Sequence, residues 1–160
     1  MRERKYRAFV KQCNKMIYSE NSYPKGNSDY RFVALEDHKK GLGVEYFTSR
    51  TEYVNQYGGV VLLPDWRVFT DEEAPVTEYT GLKDKNDQHG QEIWEGDIRK
   101  DVFGRIFVVV YDNDLAAFYG EYPGGIDQSL ADCGPDSEYL GTVYENPDLL
   151  EAASANKEEL

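Results

Sequence analysis

Histidine and cysteine, on which many enzymes and most zinc proteins depend, are scarce in this sequence of 160 residues, which has two of each. His38 and His89 form no HxH or HxxxH pattern, and Cys13 and Cys133 form no CxxC pattern. Zinc sites need three or four ligands among which Cys and His predominate, so we expect two surface histidines and no zinc. Because disulfides are rare in cytosolic proteins, we expect two free thiols.

Motifs for phosphate binding and for nucleophilic catalysis are also missing. The sequence has no GxxxxGK[ST] or GxGxxG loop and no GxSxG turn. Its acidic residues do not follow the EF-hand spacing, which leaves a weak cation site between residues 112 and 136 as the alternative. A nucleophile at Cys13 or Cys133, or a hydrolase that uses His89 or Cys133, would need specific activating neighbours. We therefore expect no catalytic residue, no cofactor and no metal.

Long apolar runs are absent as well. No stretch of about 18 apolar residues, the length that a membrane-spanning helix requires, occurs in the sequence. Residues 1–13, MRERKYRAFVKQC, are basic, but no apolar segment follows them as it would in a secretory signal. We therefore expect a cytoplasmic protein that does not enter the membrane.

Negative charge and tyrosine, by contrast, are abundant. The 30 acidic and 18 basic residues give a net charge of −12, and 13 residues are Tyr. The charge is uneven, because residues 1–17 carry a net +5 and residues 111–160 a net −11. Since Lys and Arg bind phosphate backbones, the C-terminal half is a poor surface for nucleic acid. It could instead contact a basic protein surface or serve solubility alone.

Apolar residues at a period of two, and runs rich in β-branched residues, predict several short strands. Residues 44–57 are ambiguous between a strand and a strand followed by a helical turn, and residues 60–63 predict a short buried strand that Pro64 ends. Residues 122–137 predict a long loop, and Asn146-Pro147 predicts the start of a short helix, with Asn146 as N-cap. The other predicted strands are at residues 6–10, 16–18, 30–35, 92–100, 105–111, 115–119 and 139–144.

Short strands joined by tight turns are typical of a small barrel or roll. We predict a mainly β fold whose N-terminal part, residues 1–74, is β-rich. Residues 75–150 are predicted to form an SH3-type small barrel with a short C-terminal helix. Residues 151–160 are predicted to form a frayed tail.

Three segments at the start, in the middle and near the end of the chain carry a family resemblance. They read RERKYRAFVKQCNKMIY, YTGLKDKN…GQEIWEGDI and GTVYENPDLL. In order and spacing they resemble the YopX family of phage and prophage proteins. The resemblance implies a mostly β protein of bacterial viruses with an SH3-type barrel in its C-terminal part, and it transfers no catalytic residue. The sequence departs from the family pattern at Asp87–His89, which lengthen the loop before Gly90.

The motif residues are assigned to structure rather than to chemistry. Asn and Gly tolerate positive φ, so Gly90 predicts a turn. Gly96 predicts a bulge or barrel corner, across which Asp97 is expected to accept backbone N–H groups. The complete structural set is Gly81, Gly90, Trp94, Gly96, Asp97, Asn146 and Pro147.

Two groups of residues are candidates for binding. Tyr119 and Tyr122 lie beside a Gly/Pro loop and are expected to be exposed, since Tyr is enriched at interfaces; a place in the core is the alternative. Arg2, Arg4 and Arg7 could form a basic patch that contacts nucleic acid. The same patch could instead meet the acidic segment within one molecule or between the copies of a homo-oligomer.

These observations predict a non-enzymatic phage or prophage accessory protein in the cytoplasm of the infected or lysogenic host. It is predicted to bind protein, either as a homo-oligomer or through a host or phage protein with a basic surface. An acidic mimic of nucleic acid would belong to the same class. The alternative is a nucleic-acid-associated protein that uses the basic N-terminal patch.

Overall fold

The structure, a computed structural model, describes residues 4–23, 29–86 and 90–151. Strands dominate these residues, which confirms the prediction of a mainly β fold. The strands are β1 (Tyr6–Val10), β2 (Lys15–Tyr18), β3 (Tyr30–Ala34), β4 (Leu42–Val54), β5 (Val60–Val68), β6 (Val76–Lys83), β7 (Glu92–Trp94), β8 (Asp97–Lys100), β9 (Ile106–Asp112), β10 (Ala117–Tyr122), β11 (Ile126–Ser129) and β12 (Glu138–Thr142). The helical segments are a 3₁₀ turn at Ser19–Asn21, α1 (Leu130–Cys133) and α2 (residues 148–151).

The contacts divide the chain into two compact units. The N-terminal unit comprises residues 5–76, and the C-terminal unit comprises Arg4 and the described residues from Thr77 onward. No helix among the described residues has the length and apolar character needed to cross a membrane. The predicted lengthening of the loop at Asp87–His89, and residues 152–160 of the predicted tail, lie outside the described residues.

The N-terminal unit contains a hairpin and a three-stranded antiparallel sheet. In the hairpin, β1 pairs with β2, and the N–H groups of Phe9 and Lys11 donate to the carbonyls of Pro75 and Glu73. The sheet has the order β3-β4-β5. Inward-pointing residues of β1, β2 and β4, together with three residues that follow β5, build one core, which consists of Ala8, Val10, Ile17, Val44, Phe69, Ala74 and Val76.

Two segments of this unit differ from the sequence expectations. The ambiguous segment 44–57 contains no helical turn: β4 continues as strand to Val54. The prediction of a short buried strand at residues 60–63 is wrong, because β5 runs through Pro64 to Val68 and is almost entirely exposed. An unbroken apolar run is typical of a strand covered on both faces, and the sequence does not show that this hairpin extends beyond its sheet.

The side chain of His38 connects the loop between β3 and β4 to Phe69, the core residue that follows β5. Its Nε2 donates to the carbonyl of Phe69 at 2.9 Å, and its Nδ1 lies 3.1 Å from Oδ1 of Asp37. The Phe69 carbonyl and then the Asp37 carboxylate raise the pKa of His38 above its ordinary value of 6.5, because both favour the charged ring.

The N-terminal unit is therefore expected to lose stability as the pH rises. A raised pKa means that the contribution of His38 is complete below about 6.5 and is lost as the pH passes through the folded-state value. At pH 5.5 we expect the amides of β4 and β5 to exchange more slowly in the wild-type protein than in His38→Gln. By pH 8.5 this difference in exchange rate should be smaller. Hydrogen exchange measured by mass spectrometry on both proteins at each pH checks this. A difference that is constant with pH would contradict it.

The C-terminal unit contains the β6–β7 pair and a five-stranded antiparallel sheet of order β11-β10-β9-β8-β12. The predicted strands at residues 105–111, 115–119 and 139–144 correspond to β9, β10 and β12. The predicted loop 122–137 contains β11 and α1 instead. One core lies in this unit, built from Ile93, Phe107, Val109, Tyr122, Leu130 and Cys133. The SH3-type barrel stays a prediction.

A corner at Glu95-Gly96 divides the predicted strand 92–100 into β7 and β8. Gly96 has a φ of 90°, and a Cβ there would lie 3.1 Å from the Tyr144 ring, so glycine suits both the conformation and the space. Oδ2 of Asp97 accepts the N–H of Trp94 across this corner at 2.8 Å. The corner lets residues 92–100 pair with β6 through β7 and with β9 and β12 through β8.

The end of the chain differs from the expectation for Asn146. Its Oδ1 accepts the N–H of Thr142 at 3.3 Å and does not cap α2. Helix α2 is opened by backbone bonds, in which Leu149 N–H donates to the Asn146 carbonyl and Leu150 N–H to the Pro147 carbonyl. Asn146 thus closes the turn after β12, a role that the sequence pattern Asn-Pro does not distinguish from a helix cap.

Candidate functional site

The main candidate site is the outer part of the β4–β5 hairpin, residues 48–65, which we name the arm. β3 pairs with β4 only over Leu42–Tyr46, and one further bond joins Phe47 N–H to the Asp29 carbonyl. Beyond that point the described residues provide no third strand, while β4 and β5 stay paired out to Val54 opposite Val60. The arm is therefore a two-stranded ribbon that leaves its sheet.

The turn at the tip of the arm is set by its own sequence. Oδ1 of Asn55 accepts the N–H groups of Tyr57 and Gly59, each at 2.9 Å. Gly58 has a φ of 80°, which glycine adopts without strain, and Asn55 N–H donates to the Gly59 carbonyl. The tip thus has a defined conformation without any partner.

Aromatic packing fixes the base of the arm. The ring centroid of Trp66 lies 5.7 Å from that of Phe47 and 5.4 Å from that of Tyr23. The guanidinium of Arg31 lies 4.2 Å from the same indole and pairs with Glu45 at 2.6 Å. A Thr48 hydroxyl that donates to the Asp65 carbonyl at 2.9 Å bridges the irregularity in the β4–β5 register. The arm therefore projects from a well-packed foundation.

Both faces of the arm carry exposed apolar side chains. Successive strand residues point to opposite faces, and residues directly opposite each other share a face. One face therefore presents Tyr53, Val61 and Leu63, which are 52%, 38% and 47% exposed. The other presents Val54, Val60 and Leu62, which are 72%, 63% and 53% exposed, and also the exposed Glu52, which is opposite Leu62.

Such a surface is unusual for a part of a protein that stays in water. The exposed apolar area is on the order of several hundred Å², the size at which a patch marks an interaction site. An isolated two-stranded hairpin is at best marginally stable in water, and three or more strands with an apolar face are needed. The arm is therefore suited to bind protein.

The outer stretch of the arm is uncharged, and the charged residues of the arm, Arg50, Glu52 and Asp65, lie outside that stretch. Residues 53–64 contain no Asp, Glu, Lys or Arg, although the whole chain has a net charge of −12. Two copies of an acidic protein repel each other least where each is uncharged.

The C-terminal unit holds a second feature, a polar cleft of about 500 Å³. Acidic residues dominate its lining, with Lys100 as a nearby cation; the lining includes Asp84, Asp101, Asp136, Glu138, Lys100 and Tyr139. No cluster of three or more potential metal-ligating His, Cys, Asp or Glu side chains occurs in the described part of the chain.

A buried ion pair lies in this part of the C-terminal unit. Nη2 of Arg99 donates to Oδ2 of Asp84 at 2.5 Å, and both side chains are almost fully buried. Nε of Arg99 donates to the Ser137 hydroxyl at 2.8 Å, while its Nη1 has no hydrogen-bond partner within the described residues. Burial alone would raise the pKa of Asp84, but the N–H groups of Gln91 and Asn86 and the Arg99 guanidinium hold it below its ordinary value.

Asp101 has a similar role beside the core. It accepts the Tyr122 hydroxyl at 2.9 Å, the Arg105 side chain at 2.9 Å and two backbone N–H groups. Burial would raise the pKa of Asp101, but these donors lower it. Burial raises the pKa of the Cys133 thiol, and burial with the Asp101 bond raises that of Tyr122. A general base works best with a pKa near neutrality and a cysteine nucleophile with a lowered one, so these groups are suited to structure.

The predicted binding residues are not brought together. Tyr122 was expected to be exposed but is 5% exposed, because its ring packs in the core and its hydroxyl reaches Asp101. Tyr119 is half-buried. Arg4 is exposed, Arg7 is 3% exposed, and Arg2 lies outside the described residues. Arg7 thus differs from the expectation of an exposed patch, because β1 buries its side chain.

The structural residues of the middle motif lie in the C-terminal unit. Gly81 and Gly90 both have positive φ, 86° and 73°. Trp94 is 5% exposed and packs on Tyr79, with ring centroids 5.5 Å apart. Cys13 is exposed and Cys133 is buried, and both thiols are free. His89 lies outside the described residues.

Sequence reasoning missed the arm, which is the most distinctive surface of the described residues. A usable signal was present, because the stretch YVNQYGGVVLLP has no charged residue in a chain with 30% charged residues. An Asn and two Gly residues between apolar runs also indicate a hairpin. The exposure of this hairpin, however, depends on where β3 ends.

Comparison with protein families gave one finding. A model of the family described as YopX protein matches residues 5–151, which is nearly the whole chain. A comparison with curated proteins gave no match.

Proposed function

The chain belongs to the YopX family, and we propose that it is a non-catalytic module that assembles with further copies of itself through the arm. As the sequence resemblance suggests, its setting would be a phage or prophage, and it would act in the cytoplasm of the bacterial host. One observation carries the proposal: the arm exposes apolar side chains on both of its faces.

The uncharged outer stretch of the arm, residues 53–64, favours self-assembly over binding to a basic protein or to nucleic acid. A partner with a basic surface would be attracted by carboxylates, and residues 53–64 contain none. Nucleic acid would be attracted by Lys and Arg, which are also absent there. An uncharged apolar ribbon instead fits the interface of a homo-oligomer, whose centre is depleted in charge.

Lysine substitution on one face of the arm is expected to break the assembly. Burial of a Val or Leu side chain is worth roughly 1.5–3 kcal/mol, so the double variant Val60→Lys/Leu62→Lys should weaken association roughly 100-fold or more. Both residues are exposed in the single chain, so each change should alter folding stability by less than about 0.5 kcal/mol. Light scattering after size-exclusion chromatography gives the mass, and circular dichroism gives the melting temperature.

A matched control places the same two charges elsewhere. Leu115 and Ile126, in the C-terminal unit, are 73% and 58% exposed, and Leu115→Lys/Ile126→Lys should keep the wild-type mass. Equal masses for the two double variants and wild type would refute a role of the arm in assembly.

A further inference from the structure

We propose that a second copy joins the arm through the open backbone edge of β4, so that two arms form a continuous four-stranded antiparallel sheet of order β5-β4-β4-β5. This inference rests on the proposed function and specifies its geometry. It specifies that the β4 edge of the arm is the one that pairs, and that a two-fold axis relates the two copies.

The ladder within the arm determines which backbone groups point outward. In an antiparallel pair, residues that exchange hydrogen bonds alternate with residues that do not. Asn55 N–H donates to the Gly59 carbonyl, so these two backbone groups point toward each other across the ribbon. The next pair, Val54 and Val60, is then non-bonded, as is the pair of Glu52 and Leu62 two residues further on.

The N–H and C=O groups of non-bonded residues face away from the partner strand. On β4 these are the groups of residues 50, 52 and 54, and on β5 those of residues 60, 62 and 64. The two edges are not equivalent, because residue 64 is Pro64, which has no N–H. A proline at an outward position is a common device that prevents pairing at a sheet edge.

Within the described residues, the β4 edge has no such obstruction. Its outward positions are Arg50, Glu52 and Val54, none of which is proline, and β3 does not extend to them. β4 therefore presents three donors and three acceptors in a row along the arm. An antiparallel copy of the same edge supplies the matching acceptors and donors, since a two-fold axis presents each surface to itself.

Joining two arms would also stabilise the two-stranded ribbon. A two-stranded hairpin becomes a four-stranded sheet, which exceeds the minimum number of strands for a stable apolar face. The side chains of Val54, Val60 and Leu62 from both copies then form one continuous face. Residues 50–54 of each copy contain one cation, Arg50, and one anion, Glu52, so the paired strands have no net charge where two chains of net charge −12 meet.

Cysteine cross-linking distinguishes the edges. Cys13 is exposed and is replaced by Ser, while the buried Cys133 is retained. Into this background we place either Glu52→Cys or Leu62→Cys, which are opposite each other in the β4–β5 register. Edge pairing through β4 brings the residue 52 positions within one or two residues of each other, whereas the residue 62 positions are separated by three strand spacings, about 14 Å. A short bismaleimide is the probe, and the mass of each protein is measured by light scattering.

The proposal expects a cross-linked dimer with Glu52→Cys and no dimer above the Cys13→Ser background with Leu62→Cys. Two results would overturn edge pairing through β4 without contradicting self-assembly, provided that the protein is assembled. In one, Leu62→Cys cross-links at least as efficiently as Glu52→Cys; in the other, neither variant cross-links. A Cys13→Ser parent that is monomeric at every concentration would overturn the proposed function itself.

Discussion

Replacing Asp84 with Asn is expected to destabilise the C-terminal unit by roughly 3–5 kcal/mol, because it leaves a buried cation without its counter-charge. Arg99 is fully buried, and Asp84 is the only carboxylate that pairs with it among the described residues. Nη1 of Arg99 already has no partner there, and the Ser137 hydroxyl that accepts from Nε carries no charge. The unfolding is measured in urea in a Trp66→Phe background, where Trp94 is the remaining tryptophan and reports on the C-terminal unit.

Asp136 is the matched control for this change. It lines the same cleft but is exposed and makes no ion pair with Arg99, so Asp136→Asn should change stability by less than about 0.5 kcal/mol. The double variant Asp84→Leu/Arg99→Met should recover much of the loss, since apolar residues of similar volume often replace a buried ion pair without cost. A loss below about 1 kcal/mol for Asp84→Asn would contradict the assigned role of the pair.

Replacing Gly90 with Ala is expected to destabilise the same unit by roughly 2–4 kcal/mol. Gly90 has a φ of 73°, and a Cβ there would lie 2.5 Å from the backbone carbonyl oxygen of Asp84. The Asp84 carbonyl is part of the backbone and cannot rotate away as a flexible side chain can, so the turn at Gly90 must shift. That shift would also disturb the bond from Gln91 N–H to Asp84, which is 2.9 Å long.

Gly125 is the control that distinguishes the conformational cost of alanine at a positive φ from the steric cost of its contact with Asp84. Its φ of 84° is equally unfavourable for alanine, but nothing lies within 4 Å of its Cβ position. Gly125→Ala should therefore cost only the conformational part, about 1–2 kcal/mol. Equal losses for the two alanine variants, measured by the same urea unfolding, would show that the close approach to Asp84 has no effect.

The strands were predictable where a local pattern agrees with its surroundings. The run RIFVVVY is β-branched, pairs on both sides as β9 and has a buried face, so propensity and packing indicate the same structure. The positions of β1 and β2 were predictable from alternating apolar residues, and Ala8 and Val10 face the core as expected. In β2 the buried residue is Ile17, whereas the alternation of Met16 and Tyr18 indicates the opposite face, and Tyr18 is 37% exposed. β1 is nevertheless buried on both faces, since Arg7 and Phe9 are each 3% exposed.

The arm and the buried ion pair were not predictable, because each depends on distant parts of the chain. The run VVLL has the composition of a covered strand, and only the end of β3 pairing at Tyr46 shows that no neighbour covers it. Arg99 lies in β8, and an arginine within a strand is ordinarily exposed. Its burial depends on Asp84 and on Ser137, which is 38 residues away in sequence.

The central claim, that the protein assembles through its arm, is tested most directly by sedimentation equilibrium of the unmodified protein over a range of concentrations. The account predicts a mass that rises to a multiple of 18.4 kDa, and a return to the single-chain mass for Val60→Lys/Leu62→Lys. A mass of 18.4 kDa at every concentration, with the arm intact, would contradict it.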